Sequence, residues 1–97
     1  MGKQYEDNAQ EIFNLICDYL MDEYNLNPVI IVTVRKNTVF INFHEKFLNS
    51  EIEFYRNGKT AIYNLNPHDE RAKKAIFGIL EIDNLILPLA WKNTTHG

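Results

Sequence analysis

Between Val29 and Leu65 apolar and polar residues alternate with period two, and turn signals divide the stretch into four runs. This is the pattern of antiparallel strands covered on one side and wet on the other. Asn57-Gly58 is the strongest turn signal, because that pair tolerates positive φ at both centres of a type I′ turn. Read as a two-residue loop, it sets Arg56 opposite Lys59 and pairs Tyr55 with Thr60, Phe54 with Ala61 and Ile52 with Tyr63. Ile52, Phe54, Ala61, Tyr63 and Leu65 then share the covered face, and Glu51, Glu53, Tyr55, Thr60, Ile62 and Asn64 the wet one. A two-residue loop at Lys36-Asn37 likewise pairs Val34 with Val39, Val32 with Ile41 and Ile30 with Phe43, all apolar. The opposite face holds Val29, Ile31, Thr33, Arg35, Thr38, Phe40, Asn42 and His44.

On the N-terminal side the period changes to that of a helix, over Tyr5 to Tyr24. Ala9, Ile12, Phe13, Ile16, Leu20 and Tyr24 recur on one face. Leu15, Tyr19 and Cys17 flank that stripe, so the apolar arc is wider than one sheet needs. Opposite it lie Asp7, Glu11, Asn14, Asp18 and Asp22, and Asn27-Pro28 is the expected stop. After the strands, Asn66 reads as a helix N-cap with Pro67 at the first helical position. Ala72, Ala75, Ile76, Ile79 and Leu80 form the core stripe that follows. Residues 82 to 91 are apolar but contain Pro88, which fits either an edge strand or a short helix beginning near the proline. Phe47 and Leu48 are expected to pin the connection between the hairpins, which either links them as neighbours or crosses over and reorders the strands. The expected fold is one α+β domain over residues 1–97: a two-layer arrangement of a four-stranded antiparallel sheet, made of two hairpins, with an N-terminal and a C-terminal helix packed on one face.

Composition narrows the function classes. A chain of 97 residues with 45% hydrophobic and 24% charged content belongs to an ordinary globular domain. No run of about 18 apolar residues is present to span a bilayer, and the polar start lacks a signal-peptide core. The one cysteine, Cys17, allows no internal disulfide, so the cytoplasm is the expected compartment. The net charge of -3 is unevenly placed. Residues 1–30 set six carboxylates against Lys3 alone, whereas residues 31–67 carry five cations and three carboxylates. Overall the balance argues against nucleic acid as a partner unless a local patch overrides it.

Residues that carry chemistry are sparse. There is no phosphate-binding glycine loop, zinc spacing or nucleophile elbow, so no catalytic residue, metal site or cofactor is assigned and the chain reads as non-enzymatic. Cys17 reads as a structural thiol, and the carboxylate pairs on the first helix as a solvated face. Two functions stay open. In the favoured one the protein is a small binding module or inhibitor. It contacts another protein, or a second copy of itself, through Asp7, Glu11, Asp18, Asp22, Leu15 and Tyr19 of the helix and Leu89 and Trp91 of the tail. Its richness in Asn, Ile, Lys, Tyr and Phe fits an A+T-rich genome such as that of a Gram-positive bacterium or its phage, for which a nucleic-acid-handling host protein would be a fitting target. In the alternative, Arg35, Phe40, Tyr55, Arg56 and Lys59 on the open sheet face bind single-stranded nucleic acid, with Glu51 and Glu53 opposing the field.

Overall fold

The computed structural model describes residues 2–44, 50–66 and 68–92. In chain order it contains α1 (Gly2–Tyr24), β1 (Val29–Val34), β2 (Thr38–His44), β3 (Glu51–Tyr55), β4 (Thr60–Tyr63), α2 (Glu70–Glu81) and α3 (Asp83–Ala90). The strands form one antiparallel sheet in the order β1-β2-β3-β4. The hairpins are therefore neighbours, with Val39 beside Phe54 and Ile41 beside Ile52, and no crossover reorders them. Phe47 and Leu48 lie outside the described residues.

The first hairpin has the expected register, closed by the Arg35 amide donating to the Thr38 carbonyl at 2.8 Å. The second does not. Its loop has three residues, Arg56, Asn57 and Gly58, closed by the Tyr55 amide donating to the Lys59 carbonyl at 2.8 Å. Only Gly58 takes a left-handed backbone, with φ at +94°, and the Asn57 side chain accepts from the Lys59 amide at 3.0 Å. One left-handed glycine closing a three-residue loop is the alternative to a two-residue turn, and Asn-Gly serves both. The shift pairs Phe54 with Thr60 and Ile52 with Ile62. Ile62 consequently joins the covered face, while Ala61 and Tyr63 move to the wet one.

α1 ends at Tyr24 as expected, stopped by Asn25 ahead of the Asn27-Pro28 step, and it begins earlier than Tyr5, at Gly2. Asn25 adopts φ of 53°, and bonds from the Asn25 amide to the Met21 carbonyl and from the Leu26 amide to the Leu20 carbonyl close the helix. Asparagine tolerates this left-handed stop better than most residues. α2 begins at Glu70, and its N-cap is Asp69, whose carboxylate accepts from the Arg71 amide at 2.8 Å, rather than Asn66. Pro67 lies outside the described residues. Residues 83–90 are helical, starting well before Pro88, so the edge-strand reading is wrong. The Ile82 carbonyl accepts from both Leu85 and Ile86, starting α3 directly behind α2. Pro88 and Asn84 are exposed, so water can reach the carbonyl that the proline leaves unbonded.

All three helices pack on one face of the sheet. Ile12, Ile16 and Leu20 of α1, Ala75, Ile76 and Ile79 of α2 and Ile86 of α3 are fully buried with Val39, Ile41, Phe43, Ile52 and Phe54. α1 lies against β1 and also meets α2 and α3, which uses the apolar arc that one sheet could not cover.

Candidate binding surfaces

The residues proposed for protein contact divide into two groups. In the first, the tail is structural. Trp91 is 8% exposed; its Nε1 donates to the Arg35 carbonyl at 2.8 Å, and the Arg56 guanidinium lies 5.2 Å from its ring centroid. Leu89 is half-buried against the same core. Leu89 and Trp91 are thus covered within the chain, whereas Leu85 of the same helix stays 49% exposed. Glu11 belongs to this group too. It pairs with Lys92 at 2.7 Å next to Asn8, whose buried amide donates to the carbonyls of Ala90 at 3.0 Å and Lys92 at 3.2 Å. The ion pair is at the surface and contributes little, whereas the buried amide satisfies carbonyls at the end of α3.

In the second group, Asp7, Asp18 and Asp22 are exposed on the outer side of α1, and none has an ion-pair partner among the described residues. Leu15 and Tyr19 are half-buried beside them. Met21, 44% exposed, stands on the other flank and escaped the sequence analysis because it falls outside the apolar stripe. Tyr19 meets Tyr24 edge-on, with centroids 5.9 Å apart, and both hydroxyls crowd Gly78 of α2. Burial, with the Tyr24 hydrogen bond and the nearby Glu23 and Glu81, pushes the Tyr19 phenol up to about 12. Cys17 is half-buried; burial and then Asp18 raise its thiol, which disfavours the reactive thiolate.

On the wet face the register brings four of the five aromatic and basic residues together. Arg35, Thr38, Tyr55 and Lys59 form one row across the strands at the turn end, and Phe40 stands in the next row opposite Glu53. Arg56 is not with them, because it turns to the helix side and stacks on Trp91. The hydroxyls of Tyr55 and Tyr63 both donate to Oε1 of Glu53 at 2.9 Å. Hydrogen bonding to Tyr55 and Glu53 holds the Tyr63 phenol well above its ordinary range. Sequence reasoning missed the Tyr63 contact through the one-residue register error. Among the described residues no cluster of three or more His, Cys, Asp or Glu could hold a metal ion, and no helix is long and apolar enough to cross a membrane. No family model, curated protein or solved structure matches the chain.

Proposed function

We propose that this protein is a small non-enzymatic protein-binding module whose working surface is the outer side of α1. The observation that carries this reading is the single sign of charge. No lysine or arginine occurs from Gln4 to Val34, and Asp7, Asp18 and Asp22 stand exposed beside Leu15, Tyr19 and Met21. Asp18 and Asp22 are one helical turn apart, a like-charge spacing that costs a few tenths of a kcal/mol and receives no compensating pair within the described fold. Carboxylates interleaved with partly exposed apolar side chains suit a target with a basic, locally apolar surface. A nucleic-acid-handling protein has such a surface, and inhibition by covering it is the action we favour. A second copy fits this side poorly, since each carboxylate would meet its own kind across a two-fold axis.

The test is affinity capture from the source cells with wild type, the double variant Asp18→Lys with Asp22→Lys, and a control with the same charge change away from α1, Glu51→Lys with Glu70→Lys. A basic partner held by wild type and control, released by salt and lost by the α1 variant is the expected result. Failure to capture a partner, or capture unaffected by the α1 variant, overturns the proposal.

A further inference from the structure

We propose that the turn end of the open sheet face binds single-stranded nucleic acid, with Phe40 and Tyr55 stacking bases and Arg35 and Lys59 facing phosphates. The register does the positioning. The row Arg35, Thr38, Tyr55, Lys59 runs across the turn ends of all four strands, with Arg35 one residue past β1 and Lys59 one before β4, so at a strand spacing of about 4.8 Å the two cations stand roughly 14 Å apart with Tyr55 between them. Phe40 is the diagonal neighbour of Tyr55 across β2 and β3, at about 7 to 8 Å between backbones. Both rings are half-buried, so part of each remains open to solvent. One shallow depression runs along Arg35, Thr38, Phe40 and Glu53, and another along Asn37, Tyr55, Arg56 and Asn57, whose two amides can meet base edges. The Tyr55 hydroxyl donates to Glu53 at 2.9 Å, away from the ring face that would stack.

The local field has the sign this ligand needs, although the chain as a whole is negative. Arg35, Lys36 and Lys59, all exposed, come from two turns joined by the Arg56 amide donating to the Asn37 carbonyl at 2.8 Å, while the Arg56 side chain is drawn away to Trp91. The carboxylate nearest them in the register, Glu53, already accepts from two phenols. The acids of α1 belong to the helix layer on the opposite face of the sheet. Three cations alone would also hold an acidic peptide. The ring pair set between cations and amides favours bases, because aromatic faces stack every base without regard to sequence.

Fluorescence anisotropy with a labelled oligouridine and a labelled oligothymidine at low salt tests this, alongside labelled polyglutamate and a DNA duplex. Binding of the single strands should weaken about fivefold for a threefold rise in salt if two phosphates are neutralised. Tyr55→Ala and Phe40→Ala should each weaken it by about 5- to 150-fold. Tyr55→Phe should keep it, because the ring and not the hydroxyl does the stacking. Arg35→Gln with Lys59→Gln, at two exposed positions that leave the fold alone, should remove most of the salt dependence. Absence of binding at low salt overturns the proposal, as does binding indifferent to that double variant, or equal binding of duplex or polyglutamate.

Discussion

The side-chain amide of Asn8 donates to the carbonyl of Ala90 at 3.0 Å, joining the first turns of the N-terminal helix to the last residue of the C-terminal one across 82 positions of sequence. Asn8 is nearly buried, and a second bond reaches Lys92. Asn8→Ala should therefore lower stability by about 1 to 3 kcal/mol, the cost of leaving buried polar groups unpaired. Asn8→Asp should be worse, since a carboxylate cannot donate to carbonyls. Urea unfolding midpoints read both, and an unchanged midpoint for Asn8→Ala would falsify the clasp.

Gly78 is where α2 comes closest to α1. A Cβ there would stand 2.5 Å from the Tyr24 hydroxyl and 2.6 Å from that of Tyr19. Two tyrosines would have to yield together. Gly78→Ala gains about 1 kcal/mol of helix propensity, yet crowding of this kind costs about 1 to 3 kcal/mol, so a modest net loss is expected. Placed in a chain with Tyr19→Phe and Tyr24→Phe, the same alanine should become stabilising. A penalty equally large in both backgrounds would show that the hydroxyls do not set the spacing.

Stability should decline in alkali. An unfolded tyrosine ionises near pH 10, whereas the folded Tyr19 phenol holds its proton to about 12. Above pH 10 the unfolded chain thus releases a proton that the folded one retains. The contribution is complete below about pH 10 and disappears as pH rises toward 12. Tyr63 shifts in the same direction but lies at the surface, where water screens its contacts. Unfolding midpoints across this range should fall less steeply in Tyr19→Phe than in wild type, and parallel slopes would contradict the assignment.

Trp91 closes the core between the helix layer and the first turn. Trp91→Ala should cost the monomer about 3 to 5 kcal/mol. Trp91→Phe keeps most of the packing but orphans the Arg35 carbonyl, a loss of about 1 to 2 kcal/mol. Wild-type stability for Trp91→Ala would instead return the tail to the role of an interface anchor.

What the sequence determined by itself is local or periodic. The stripe Ile12, Ile16, Leu20 and the stripe Ala72, Ala75, Ile76, Ile79 mark helix faces because only one side of each can be covered, and the three apolar pairs of the first hairpin permit a single register. The tertiary structure decided the cases in which local rules allowed two answers. Asn57-Gly58 accepts either a two- or a three-residue loop, and the longer one gives Tyr63 to Glu53 and Ile62 to the covered face. Residues 82 to 91 suit a strand or a helix by pattern, and became a helix whose Trp91 fills a space beside Arg35 and Arg56. Of the candidate surfaces, the exposed acids of α1 were legible because helical spacing alone aligns them. The row of Arg35, Tyr55 and Lys59 needed the three-residue loop, and the withdrawal of Arg56 to Trp91 needed a contact between segments 35 positions apart, which no local pattern encodes.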